Sequence, residues 1–181
     1  MTDSLTMAAA KTPIQMSEPK YILRVAGFLE HSTVNGVGFR SVLFLSGCSH
    51  NCHGCHNTEM QDFKYGEDIL VSDIISKIIK NIDLIDGVTL SGGEPFEQCA
   101  SLLPLLQELK KLGLSVWAYT GYLYEALLLD SAKAKLLPFI DILVDGKYLE
   151  AYADENLRYR GSSNQRLLKL VHGQIESILN Y

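Results

Sequence analysis

Apolar and polar positions along this chain switch repeatedly between two periods, one suited to strands and one to helices. Ser41-Val42-Leu43-Phe44-Leu45 is a short apolar run of strand length. Ile74, Ile75, Ile78, Ile79 and Ile82 share one helix face by their spacing, despite their β-branched side chains. Val88-Thr89-Leu90 predicts a strand that runs into Ser91-Gly92-Gly93-Glu94-Pro95. The leucines from Leu102 to Leu112 predict a helix, with Pro104 in its first turn and Gly113 as its stop. Leu114 to Tyr119 then predicts a strand ending at Thr120-Gly121, Leu123 to Leu129 a short helix, and Phe139 to Val144 a strand ending at Asp145-Gly146. This alternation implies an α/β fold, a parallel sheet wrapped by helices, whose ligands bind at the carboxyl ends of the strands. The cysteine-rich run after Leu45, Ser91 to Pro95, Thr120-Gly121 and Asp145-Gly146-Lys147 all fall at such ends, so one rim of the sheet is the expected site.

Residues 1–19 lack sustained periodicity and contain two Pro and three Met, which reads as a flexible N-terminal extension. The remaining residues, 20–181, suffice for one domain with one substantial core. A net charge of -5 argues against binding to a nucleic-acid backbone, and no apolar run is long enough to span a bilayer. The expectation is a protein of the cytoplasm, where thiols stay reduced.

The candidate chemistry lies in Ser46-Gly47-Cys48-Ser49-His50-Asn51-Cys52-His53-Gly54-Cys55-His56-Asn57. Three thiolates spaced C-x-x-x-C-x-x-C can hold an iron–sulfur cluster and leave one iron without a protein ligand, open to a substrate or cofactor. A disulfide framework fits poorly, because three clustered cysteines and a distant Cys99 make no regular pattern. Zinc is the competitor, since His50, His53 or His56 could complete a Cys3His tetrahedron. Against zinc, no second Cys or His pair follows downstream. Cys99 falls in the helical segment and reads as a structural thiol. Gly36-Val37-Gly38 is not a dinucleotide fingerprint, for it lacks the third glycine and a following helix.

Beside an open cluster, Gly92 and Gly93 would let the backbone approach a ligand closely, and Glu94 could accept from an ammonium group. A plain strand-to-helix turn, with Glu94 near a helix N-terminus, accounts for the same residues. Asp145-Gly146 likewise has the composition of an ordinary turn.

Cys-x-x-x-Cys-x-x-Cys after a strand, followed by a second strand and Gly-Gly-Glu, resembles the radical S-adenosylmethionine superfamily. Within it, the glycyl-radical activating enzymes that serve anaerobic ribonucleotide reductase resemble this chain at seven places. These are Val34 to Arg40, Phe44 to Cys48, Gly54 to Asn57, Leu90 to Pro95, Trp117 to Tyr122, Leu143 to Tyr148 and Arg160 to Gln165. The resemblance implies an incomplete (β/α) barrel, a curved parallel sheet with outer helices and an open mouth. It implies a [4Fe-4S] cluster on Cys48, Cys52 and Cys55, with S-adenosylmethionine chelated by the fourth iron and its methionine moiety held by Gly92, Gly93 and Glu94. Reductive cleavage of the cofactor, with flavodoxin or ferredoxin as electron donor, would yield a radical that abstracts hydrogen from a glycine of the anaerobic ribonucleoside-triphosphate reductase. Thr120, Asp145 and Lys147 would contact the cofactor. His56 stands where a tyrosine is common in these activators, and would stack or hydrogen-bond near the adenine, or be a surface side chain. Gly54 stands where many superfamily members carry an aromatic residue, as is usual in this subgroup. Arg158, Arg160, Ser162, Ser163 and Asn164 would close over the cofactor, meet the reductase, or form a solvated loop. The other readings are an activator of pyruvate formate-lyase or another glycyl-radical enzyme, and a zinc-binding interaction module.

Overall fold

A computed structural model describes residues 20–181. The expected extension over residues 1–19 lies outside the described residues. In chain order the strands are β1 (Ile22–Ser32), β2 (Arg40–Leu45), β3 (Glu67–Leu70), β4 (Gly87–Gly92), β5 (Ser115–Tyr119), β6 (Ile142–Asp145), β7 (Arg166–Val171) and β8 (Gln174–Leu179). The helices are α1 (Val71–Lys80), α2 (Cys99–Lys111), α3 (Tyr124–Leu129) and α4 (Ser131–Ala134). All eight strands join one sheet in the order β3-β1-β2-β4-β5-β6-β7-β8.

The fold is mixed α/β on a single open sheet, and the expectation of an all-parallel sheet holds only for its centre. β2, β4, β5 and β6 are parallel, linked by crossovers that carry the helices. β1 and β3 on one flank and β7 and β8 on the other pair antiparallel. For β7 and β8 the physical reason is a two-residue turn at His172-Gly173, both with positive φ, which matches the twist of a tight hairpin. No crossover helix is then needed.

Two further boundaries differ from expectation. α2 begins at Cys99, after a 3-10 turn at Pro95–Gln98, so Pro104 sits beyond the first helical turn. Its missing N–H leaves the Ala100 carbonyl unpaired within the helix, and Ala100 is exposed, so water can serve it. Phe139 closes a 3-10 turn, and β6 starts only at Ile142.

The helices cover one face of the sheet. Ile74 and Ile78 of α1, Leu102, Leu105, Leu106 and Leu109 of α2, and Leu127 of α3 pack on Leu43, Leu45, Val88, Leu90, Val116, Ala118 and Leu143. Each fully buried leucine contributes about 1.5–3 kcal/mol of transfer free energy. Trp117, Ile142, Val144 and Leu167 form a smaller cluster on the other face, with Tyr119 and Tyr159 against it. Residues 33–39 lie on that second face, fastened by Arg40. The Arg40 guanidinium is buried and makes five hydrogen bonds, to Val37 O, Val88 O, Thr89 Oγ1, Ser115 O and Ser115 Oγ. Burial pulls its pKa down to about 10. Among the described residues, no helix is long and apolar enough to cross a membrane.

Candidate functional site

The carboxyl ends of the parallel strands open on a cleft of about 380 Å³. Cys48, Cys52, Cys55, His50, His56, Gly92, Gly93, Thr120 and Gly121 line it, together with Asn57, Tyr148, Tyr159, Arg160 and Gln165. Glu94, Asp145 and Lys147 are not part of its wall.

β2 delivers the chain into the cysteine loop, and backbone bonds pin that loop at both ends. Gly47 N donates to Met60 O at 2.8 Å and Cys48 N to Gln61 O at 3.0 Å. Glu94 N donates back to Gly47 O at 2.8 Å, and Asn57 Nδ2 to Gly92 O at 3.1 Å. Gln98 braces the base, donating from Nε2 to Arg24 O at 2.9 Å and Ser46 O at 3.0 Å. The Gly92-Gly93 pair is required by this packing. A Cβ on Gly93 would stand 2.6 Å from both Gly47 O and Met60 O, and Gly92 has φ +104°. The loop and the end of β4 therefore touch backbone to backbone.

None of the cysteines is in a disulfide, and all three loop thiols are partly buried. Burial pushes the Cys48 and Cys52 thiols up, the nearby Glu94 charge adding to this at Cys48 and Lys147 opposing it at Cys52. Taking up iron as thiolates would thus release protons. Two of the three loop histidines hydrogen-bond to carboxylates, and the third lies against a tyrosine. His50 Nε2 binds Glu94 Oε2 at 2.9 Å, His53 Nδ1 binds Glu150 Oε2 at 2.7 Å, and the His56 ring lies 4.9 Å from that of Tyr148. No three described His, Cys, Asp or Glu side chains are gathered closely enough to hold a single metal ion. Three thiols bordering one cleft suit a cluster with an open iron.

Glu94 is fully buried and turned away from the cleft. Its carboxylate accepts from Thr120 Oγ1 at 2.9 and 3.0 Å, Gly121 N at 2.8 Å, Phe96 N at 3.1 Å and His50 Nε2. Thr120 thus both lines the cleft and anchors Glu94. Asp145, also fully buried, accepts from Tyr124 N at 2.8 Å and is paired with Arg166 through Nε at 2.9 Å and through Nη2. Lys147 Nζ stands over the His50 carbonyl at 3.4 Å, so the two ends of the Asp145-Gly146-Lys147 run point to different neighbours.

Comparison with known proteins gives a consistent picture. The family described as 4Fe-4S single cluster domain matches residues 34–168. The anaerobic ribonucleoside-triphosphate reductase-activating protein of Haemophilus influenzae is 40% identical over 142 residues, 73% of this chain and 88% of that protein. Its counterparts in Vibrio cholerae and Escherichia coli K12 are 38% and 36% identical, over 73% of this chain and 88% and 89% of their own lengths. This chain belongs to the anaerobic ribonucleoside-triphosphate reductase-activating protein family. Among solved structures, QueE from Escherichia coli aligns with 55% of this chain and 52% of its own at 20% identity and a TM-score of 0.43, too slight a likeness to argue from.

In this member of the reductase-activating family, the polar group expected after the last parallel strand is divided between the cleft and its supports, and Gln165 joins it. Of the polar group after β6, Arg160 lines the cleft and donates to Gln165 O at 2.8 Å, while Ser162 is buried and accepts from Leu149 N at 3.2 Å. Asn164 Nδ2 donates to Lys147 O at 2.9 Å, and Arg158 is exposed. Gln165 organises that wall: Oε1 accepts from Gly161 N at 2.9 Å and Ser162 N at 3.2 Å, and Nε2 donates to Gly146 O at 3.0 Å. Cys99 is half-buried at the start of α2, its thiol donating to Phe96 O at 2.8 Å, and burial pushes it up to about 11.

Proposed function

We propose that this chain installs a glycyl radical on anaerobic ribonucleoside-triphosphate reductase, using a [4Fe-4S] cluster on Cys48, Cys52 and Cys55 and S-adenosylmethionine held in the adjoining cleft. The observation that carries this reading is the cleft itself: three loop thiols border one cavity at the strand ends, beside the Gly92-Gly93 backbone. When bound, the cluster and cofactor supply one-electron chemistry that ends in hydrogen abstraction from a glycine Cα of the partner.

The chain's own residues bind, orient and shield. Gly92 and Gly93 keep the floor of the cleft free of side chains, and Thr120 forms part of its wall with its hydroxyl held by Glu94. Tyr148, Tyr159 and His56 offer aromatic faces suited to an adenine. Glu94 serves the methionine end by fixing Thr120 and Gly121, and Lys147 is the cation of the Asp145–Lys147 pair available to a carboxylate. Helices cover one face of the sheet, and in this reading the cleft at the strand ends admits a loop of the reductase. A reduced flavodoxin or ferredoxin in the cytoplasm would supply the electron.

The test is anaerobic reconstitution with iron and sulfide, then dithionite and S-adenosylmethionine, with methionine and deoxyadenosine assayed. The wild type is expected to form both products and Cys52→Ala neither. A colourless protein that takes up one zinc and no iron would overturn the reading.

A further inference from the structure

His50 lies between two cysteines of the loop and borders the cleft, and its ring is directed to a buried carboxylate. Its side chain is only 8% exposed, and Nε2 donates to the fully buried Glu94 at 2.9 Å. The ring packs edge-on against Tyr122, centroids 4.4 Å apart. Gly121 makes the room: any Cβ there would collide with the imidazole Cδ2. The same carboxylate that accepts from His50 also accepts from Thr120 Oγ1 and Gly121 N. Three loops with no sequence contiguity therefore meet at one carboxylate: the cysteine loop, Gly-Gly-Glu after β4, and Thr-Gly after β5.

We infer that His50 is a positioning residue, which through Glu94 and the space left by Gly121 holds the cysteine loop in register with the strand ends that form the cofactor cleft. This deepens the function proposed above and rests on it for the identity of the cofactor. The physical case is one of accounting for donors. A buried carboxylate needs its oxygens satisfied, and four different groups do so here; removing His50 both strips one donor and frees the cysteine loop from that carboxylate. The backbone at Gly47 and Cys48 and the Asn57 side chain pin the two ends of the loop, and His50 ties its middle to the buried carboxylate.

Two measurements on the full chain test this. His50→Phe keeps an aromatic ring against Tyr122 and removes the donor, whereas His50→Gln returns an N–H at nearly the same reach. Amide exchange, followed in the metal-free and the cluster-loaded chain, should rise about tenfold in His50→Phe at residues 48–55 and, together with them, at Gly121 and Tyr122. S-adenosylmethionine affinity of the cluster-loaded chain should fall by about tenfold, as for other residues that orient ligands from behind. His50→Gln should recover both, and Gly121→Ala, which displaces the ring without altering it, should reproduce the His50→Phe result. Faster exchange confined to the cysteine loop, unchanged cofactor affinity, or a glutamine no better than phenylalanine would each overturn the inference. A wild-type chain that binds no S-adenosylmethionine overturns the proposed function instead, and the exchange measurement on the metal-free chain still decides whether His50 couples the loops.

Discussion

Glu94 and Asp145 invite comparison, because both are fully buried carboxylates at the carboxyl ends of parallel strands, separated by β5. Their surroundings differ in kind. Asp145 meets a formal cation, Arg166, whose guanidinium is held even more firmly protonated by Asp145 first and Glu125 second. Glu94 meets no arginine or lysine; two backbone N–H groups, a hydroxyl and an imidazole satisfy it. The connections differ as well. Asp145 ties β6 to β7 and to the first residue of α3, Tyr124, which are parts of the scaffold. Glu94 ties together the three loops that shape the cleft. A buried charge at a strand end can thus be structural in either sense, and its partners decide whether its loss unsettles the fold or the site.

Asp145→Ala should have the largest effect on stability. It takes the buried carboxylate from Arg166, leaving only exposed Glu125, and removes the acceptor for Tyr124 N, and breaking a buried pair of this sort costs about 3 kcal/mol. The expected fall in melting temperature is roughly 6–12 °C for a chain of this size. Cofactor affinity per folded molecule should change little. Glu94→Gln should cost less stability, about 1–3 kcal/mol, because an amide oxygen still accepts from some donors while the amide NH2 opposes the Gly121 N–H. Its cofactor affinity should nevertheless drop more than that of Asp145→Ala. Melting curves beside equilibrium binding of S-adenosylmethionine separate the two, and equal binding losses in both variants would dissolve the comparison.

Legibility followed the same divide. β2, β4 and β5 could be read because each is a buried apolar run closed by Gly or Thr, and α1 and α2 because their isoleucines and leucines keep helical spacing. The flanks were not read. β3 has only four residues, two of them acidic, and β8 is exposed along nearly all its length, so neither carries a strong period. His172-Gly173 between Leu-rich and Ile-containing runs was an available hairpin signal. At the site, Cys48, Cys52, Cys55, Gly92 and Gly93 stood out by spacing, since neighbours in sequence there are neighbours in space. The partners of Glu94 could not be read, because His50 and Thr120 lie 44 and 26 residues away and meet it only once β2, β4 and β5 align. Asp145 looked like a turn residue or a cofactor ligand for the same reason: Arg166 reaches it from an antiparallel strand that the pattern did not reveal.

The smallest expected effect, and the one that sharpens the contrast, comes from Glu125. It meets Arg166 through Oε1 at 3.1 Å and Oε2 at 2.8 Å on the outer side of the pair, with its own side chain 59% exposed. Its hydrogen bonds from Arg166 hold the carboxyl below the usual range. A depressed folded value means the contribution is complete above the unfolded pKa of about 4.3 and disappears as pH falls through the folded value. Solvent screening limits it, so Glu125→Gln should cost no more than about 0.5 kcal/mol at neutral pH, and the difference from wild type should vanish in acid. In the Asp145→Ala background Glu125 becomes the sole carboxylate on Arg166, and the same substitution should cost measurably more. A double-mutant cycle by denaturant melts reads that coupling. Strict additivity would mean that Arg166 does not exchange one carboxylate for the other, and that Asp145 is held by the Tyr124 N–H and burial more than by its ion pair.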